Sequence, residues 1–210
     1  VYEHIDRLAN KYLVSAIIAV TLKIQSLLTQ GYSREKVVCI HNGIDVERLM
    51  LSRGRRSVRK ELNINERALL LGVVGRLTAV KGHIHLLKAM QILVSKNSGT
   101  HLIIVGDGPL RKQLEDIVVE FKIQKNVVFV GHQSDVSDFI EAMDIFVLPS
   151  LHEGIPMVLL EAMALSRPVV AGKTGGDTEV VDDGENGVLV ETGNHEEIAR
   201  HTLHPWPVGC

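Results

Sequence analysis

Glu161 is the single charged side chain in Met157-Val158-Leu159-Leu160-Glu161-Ala162-Met163-Ala164-Leu165. A carboxylate is rarely held in so apolar a setting unless something hydrogen-bonds or neutralises it. It is therefore expected to serve a partner, and a hydroxyl-rich ligand would suit it. Upstream stands Glu153, followed by Gly154-Ile155-Pro156. Proline is favoured at the first helical position, where its missing N–H costs nothing, so a helix is expected from Pro156. One acid then sits in a loop beside a helix N-terminus, and the second sits about one and a half turns in, at ~1.5 Å of rise per residue. Hydroxyls could be held at both places and an anion between them.

Two cations extend the pattern. Arg76 and Lys81 lie in Gly75-Arg76-Leu77-Thr78-Ala79-Val80-Lys81-Gly82, directly after an apolar run ending at Val74. Arginine offers a planar fork of donors and lysine a mobile point charge, and both suit phosphate oxygens. Taken alone they could be surface charges. The glycines on both flanks, and the anion-suited Pro156 helix start, favour a diphosphate gripped without a metal ion.

Other motifs are more ambiguous. Gly106-Asp107-Gly108-Pro109 invites a dinucleotide reading, but Arg111 stands where the third glycine of G-x-G-x-x-G belongs. A tight turn opening a helix is the plainer alternative. Gly175-Gly176-Asp177-Thr178-Glu179 could be a turn whose acid favours a helix start, or could bring backbone N–H groups to a phosphate. His83 and His85 lack the i, i+4 spacing of two ligands on one face, and no other histidines cluster at ligand spacing, so no metal is expected. Neither a nucleophile elbow nor a P-loop lysine motif occurs.

The elements that must position these groups follow from hydrophobic pattern. Ala16–Val20, Val37–Ile40, Leu69–Val74, Leu102–Val105, Val127–Val130, Ile145–Leu148 and Val169–Ala171 are nearly continuous in Val, Ile and Leu, as in a parallel sheet covered on both faces. Helical patterns over Leu22–Gln30, His83–Lys96, Leu110–Phe121, Val136–Met143 and Pro156–Leu165 alternate with them. The expected fold is a doubly wound α/β sheet of Rossmann-like type. Ligands of such sheets bind outside the carboxyl ends of the strands, which is where five glycine-containing turns fall: Gly75–Gly82, Gly106–Pro109, Gly131–Gln133, Pro149–Gly154 and Gly172–Gly176.

Residues 53–65 are polar and charged, and read as a linker. Residues 1–52 offer two strands and two helices, too little for a core, so they read as the remnant of a preceding domain. Residues 66–200 suffice for an independent domain. The tail 201–210, with Pro205 and Pro207, reads as atypical. The basic run Arg53, Arg55, Arg56, Arg59, Lys60 has the charge to touch an anionic membrane surface, while a solvated linker is the plainer reading. The 210 residues are 45% hydrophobic, which argues against disorder, and the net charge of −2 removes weight from nucleic acid as a partner. Two cysteines suggest a reducing compartment, and no apolar run reaches membrane-spanning length. A chain opening Val1-Tyr2-Glu3 reads as an excerpt, without a signal peptide.

Glu153 through Ala164 matches the E-x7-E signature of retaining, nucleotide-sugar-dependent glycosyltransferases. With Gly75-Arg76…Lys81-Gly82, Val105-Gly106-Asp107-Gly108-Pro109, Val147-Leu148-Pro149-Ser150 and Gly175-Gly176…Glu179, the chain resembles glycosyltransferase family 4, the glycosyl transferases group 1. Those proteins have two Rossmann-like domains in the GT-B arrangement. The resemblance places residues 66–198 in the C-terminal, donor-binding half. It places residues 16–45, ending Asn42-Gly43-Ile44-Asp45, at the close of the N-terminal, acceptor half and its hinge. By resemblance Arg76 and Lys81 would bind the donor pyrophosphate and Glu153 a sugar hydroxyl near the reacting face. Glu161 would take the ribose hydroxyls, with Gly75 beside the diphosphate. Gly131 to Gln133 would border the base. Gly154, Ile155, Pro156, Met157 and Val158 would face sugar and phosphates, as would Gly175 and Gly176. The donor would be a UDP- or GDP-linked sugar and the acceptor a glycan or lipid-linked hydroxyl. No metal cofactor is expected, and the setting would be cytoplasmic, with the inner membrane face as one location open to it, in polysaccharide assembly. Ser166 departs from the family, which has glycine there. A non-catalytic interaction module of the same fold, or a sugar-nucleotide epimerase of related architecture, are the alternatives.

Overall fold

The computed structural model describes residues 13–49 and 51–203. Six parallel strands form the main sheet: β3 (Leu69–Val74), β4 (Thr100–Val105), β5 (Val127–Gly131), β6 (Ile145–Leu148), β7 (Val169–Gly172) and β8 (Val188–Val190). Their spatial order is β5-β4-β3-β6-β7-β8. The chain thus winds outward from β3 to β5, returns to β6 at the centre, and winds out the other way. The reversal leaves a crevice between the carboxyl ends of β3 and β6, the topological switch point at which open α/β sheets bind ligands.

Both faces of the sheet are covered, which explains its unbroken apolar strands. On one face Leu71, Val73, Leu102, Ile104 and Val147 pack with Leu86, Leu87, Met90 and Leu93 of the helix His83–Lys96 and with Ile198 and Ala199 of the helix His195–Leu203. On the other, Leu70, Ile103, Phe146 and Val169 pack with Val58, Phe139, Ile140 and Leu159, from the helices Arg55–Glu61, Ser137–Ala142 and Met157–Ala164. Burying side chains of this size is worth about 1.5–3 kcal/mol each.

The structure corrects the expectation of a solvated linker over 53–65. Residues Arg55–Glu61 are helical, and Arg59 is fully buried. Its guanidinium donates to the carbonyls of Ala142 (2.9 Å), Glu66 (3.1 Å) and Ala68 (2.9 Å) and to Asp144 Oδ2 (2.7 Å). A buried arginine is tolerated when its donors are met in this way; charge counting alone cannot foresee it. Of the same basic run, Arg53 pairs with Asp138 and Glu61, Arg55 with Asp144 and Arg56 with Glu66.

Two further elements lie outside the expected set. One is the strand β8, Val188–Val190, at the edge of the sheet beside β7. The helix His195–Leu203 carries the first residues of the expected tail, 201–203; residues 204–210 lie outside the described residues. Asn194 opens that helix, its Oδ1 accepting from the Glu197 N–H at 3.1 Å.

Residues 13–49 form a separate two-stranded parallel sheet, β1 (Ile17–Ala19) and β2 (Val37–Cys39), with the helix Leu22–Leu28 between them. No residue of that helix is buried.

Candidate donor-binding site

The site is assembled from loops at the switch point. After β3 the chain makes one tight 3-10 turn, Ala79–Lys81, closed by Gly82 at φ +65°. A Cβ at Gly82 would lie 2.0 Å from the Pro149 carbonyl oxygen, and the Leu151 N–H donates to the Val80 carbonyl at 2.8 Å. The loop after β3 therefore rests directly on the loop after β6. That contact carries Lys81 to Glu153, whose Oε1 lies 2.5 Å from the lysine Nζ. Both side chains are largely shielded from solvent, at 24% and 11% exposed, so the pair is stronger than a surface ion pair.

On the other side of the crevice, Gly75, Arg76 and Gln133 line a cavity of about 400 Å³ together with Val74, Val105, Gly106, Asp107, His132 and Val136. The Leu77 N–H donates to the Asp107 carbonyl and the Gly106 N–H to the Gly131 carbonyl, tying three strand ends into one wall. Arg76 is exposed and has no hydrogen-bond or ion-pair partner among the described residues. Lys81 and Arg76 are thus placed differently from a simple matched pair. One is held by an acid and the other is free to meet an anion entering the cavity.

Met157 is the first residue of the Met157–Ala164 helix, and Pro156 is the capping residue before it, one position earlier than expected. The Met157 and Val158 N–H groups open the helix without intrahelical acceptors, while the Leu159 N–H donates to the Pro156 carbonyl at 3.1 Å. Ile155 is buried and Gly154 half-buried; Met157 is exposed and Val158 partly covered. Glu161 is half-buried and has no hydrogen-bond partner among the described residues. Burial, and secondarily the Asp135 carboxylate, push its carboxyl above the ordinary range. A carboxylate so placed accepts two hydroxyls readily.

Gly175 and Gly176 lie in the loop after β7. A Cβ at Gly176 would stand 1.5 Å from the Gly154 carbonyl oxygen, so the two loops touch backbone to backbone. The next residue, Asp177, was not a candidate on sequence. It is fully buried, its Oδ2 accepts from Thr174 Oγ1 at 2.7 Å, and its Oδ1 has no partner. Burial pushes its carboxyl up to about 7, with Glu153 adding to the rise and Thr174 and Lys81 opposing it. His83, the first residue of its helix, is also buried with neither ring nitrogen partnered; burial and Lys81 lower it to about 4. Neither residue has a sequence signal, because nothing in their spacing marks them as buried. Among the described residues no group of three or more His, Cys, Asp or Glu is arranged to hold a metal.

Comparison with known proteins agrees with this geometry. Residues 54–203 match the profile described as glycosyl transferases group 1. The chain is 30% identical over 190 residues to the Staphylococcus aureus capsular polysaccharide biosynthesis glycosyltransferase CapM, covering 87% of this chain and 50% of that protein. It is also 30% identical over 188 residues to the Bacillus anthracis N-acetyl-alpha-D-glucosaminyl L-malate synthase, covering 88% and 49%. The chain thus spans about half the length of these relatives. The crystal structure of Anabaena HepE in complex with UDP-glucose superposes with a TM-score of 0.84 at 27% identity, over 96% of this chain and 58% of that one. The chain belongs to the glycosyl transferases group 1 family.

Proposed function

We propose that residues 66–200 form the nucleotide-sugar donor domain of a retaining glycosyltransferase, with residues 1–52 belonging to its acceptor half. The observations that carry this reading are the Lys81–Glu153 pair and the cavity lined by Arg76 beside the β3/β6 switch point, together with a half-buried Glu161 that has no hydrogen-bond partner among the described residues. Complexes of Anabaena HepE with UDP and glucose, and with UDP-glucose, support a uridine nucleotide as donor.

In this reading Glu161 accepts hydrogen bonds from the two ribose hydroxyls, and the base enters the cavity beside Gly131 to Gln133. Arg76 and Lys81 meet the diphosphate, assisted by the first-turn N–H groups after Pro156 and the backbone of Gly175 and Gly176. Glu153 holds a sugar hydroxyl and keeps Lys81 in place. Breaking the bond between the anomeric carbon and the diphosphate oxygen leaves an oxocarbenium-like sugar and sends negative charge to the leaving group. The cations stabilise that charge as it develops. An acceptor hydroxyl, from a glycan or a lipid-linked sugar, bonds the anomeric carbon and gives its proton to the departing diphosphate oxygen, completing transfer. The capsular role of the Staphylococcus relative supports a step of surface polysaccharide assembly.

The chain alone is expected to bind UDP or GDP weakly and to transfer nothing. Calorimetric titration with both nucleotides tests the reading. Heat with one of them, abolished by Glu161→Ala, is the expected result; no heat with either, on folded protein, would overturn it.

A further inference from the structure

Glu179 stands behind the donor loops, yet its carboxylate reaches across to residues early in the chain. Its Oε2 accepts from the Leu22 N–H at 2.7 Å and its Oε1 from the Lys23 N–H at 3.1 Å. The same Oε2 lies 3.1 Å from His41 Nε2. Leu22 and Lys23 are the first two residues of the helix Leu22–Leu28, so their N–H groups have no acceptor within that helix. A carboxylate supplied from more than 150 residues away caps them. Burial opposes its ionisation, but hydrogen bonds from Leu22, Lys23 and His41 outweigh burial and hold the carboxyl below the usual range.

A second polar contact runs parallel to the first. Asn42 Nδ2 donates to the Ile155 carbonyl at 2.9 Å, in the loop between Glu153 and the Met157–Ala164 helix. Close packing fills the space between. A Cβ on Gly154 would lie 3.3 Å from Val20 Cγ2, and one on Gly175 would lie 2.7 Å from Lys23 Cδ. Residues 20–23 and 41–42 are thus wedged against the loops that carry Glu153 and the paired glycines.

We infer that Glu179 is a positioning residue: by capping Leu22 and Lys23 it clamps residues 20–23 onto Gly154 and Gly175, and with Asn42 it fixes the loop 153–156 in the conformation that receives the nucleoside diphosphate. This rests on the donor-site reading above. Because coupling between two sites is reciprocal, a clamp that shapes the nucleotide site must itself be tightened by nucleotide.

The test uses this chain with UDP as probe and two readouts. Amide hydrogen exchange at Leu22 and Lys23 reports the clamp without ligand, and calorimetry reports UDP affinity. Glu179→Gln keeps the shape but replaces one acceptor oxygen with a donor. It is expected to speed exchange at both amides and to weaken UDP on the order of tenfold, within the usual range of coupling between sites. UDP should slow the same two amides in the unsubstituted chain. Asn42→Ala should weaken UDP as well without removing the caps on Leu22 and Lys23, which keeps the test open if Glu179→Gln fails to fold. Glu191→Gln, an exposed partner of Lys173, should change neither readout. Unchanged exchange in Glu179→Gln overturns the clamp. Faster exchange with unchanged UDP affinity, and no protection by UDP, overturns the positioning role. Failure of the unsubstituted chain to bind UDP overturns the donor-site reading and the positioning role together, while exchange in Glu179→Gln still decides whether the clamp exists.

Discussion

Residues 13–49 and residues 55–203 are held by different forces. In the second region both sheet faces are sealed, and side chains such as Phe146, Leu71 and Leu87 have no exposed area. In the first, Leu13, Ile18, Leu22, Leu27, Val38 and Ile40 are all exposed, at 47 to 82%. That region is joined to the sheet domain by polar contacts at Leu22, Lys23, His41 and Asn42. A core stabilises one region by many small apolar contacts, while a few directed hydrogen bonds place the other. The sheet domain is therefore expected to carry the stability, and the short segment to carry geometry.

The largest effect should come from the buried cation of the sheet domain. Arg59→Ala leaves three carbonyls and part of Asp144 unpaired and should cost about 3–5 kcal/mol, read as a shift of the urea midpoint. A loss below about 1 kcal/mol would mean that water replaces the guanidinium easily.

Next is a pH effect at Asp177. With its carboxyl raised from 3.8 to about 7 in the fold, the folded state holds a proton that the unfolded state has released. Its contribution is complete below pH ~4 and is lost as pH rises toward ~7. Asp177→Asn removes that loss, so the variant should gain on the parent by roughly 2–4 kcal/mol between pH 4 and 8. His83, lowered to about 4, acts in the opposite sense: its contribution falls as pH drops from ~6.5 toward 4. Taking the difference between variant and parent isolates Asp177. A difference independent of pH would show that its carboxyl is ionised in the fold.

A smaller effect belongs to Ser166, which adopts φ +56° at the end of the Met157–Ala164 helix, where the Arg167 N–H returns to the Ala162 carbonyl at 2.9 Å. Ser166→Gly should stabilise by about 1 kcal/mol, raising the melting temperature by a few degrees. Smallest of all, Leu27→Ala on the exposed helix of the first region should change stability by less than about 0.5 kcal/mol. A larger loss there would erase the contrast between the regions.

Most strands and helices of the sheet domain were legible because their periodicity is simple; β8 and the helices Arg55–Glu61 and His195–Leu203 were not. Leu69–Val74 and His83–Lys96 fall where hydrophobic pattern places them. The pairing of Glu153 with Lys81 was legible only as two separately interesting residues, since their contact depends on Gly82 lying against Pro149. The partners of Arg59, Asp177 and Glu179 escaped for a common reason, although Glu179 stands in the motif Gly175-Gly176…Glu179 and Arg59 in the basic run. Each is a charged residue whose role is set by tertiary partners on distant segments, and local composition carries no record of those. Ser166 was legible in part: a helix end expected to use glycine was visible, and the backbone there is left-handed as glycine would allow.

In the donor-site reading one ligand spans the rim from Glu161 to the Arg76 and Lys81 side. A crystal structure of this chain with UDP tests it most directly. Ribose hydroxyls are expected on the Glu161 carboxylate, with the diphosphate within reach of both Arg76 and Lys81. Nucleotide bound elsewhere, or ribose turned away from Glu161, would contradict it.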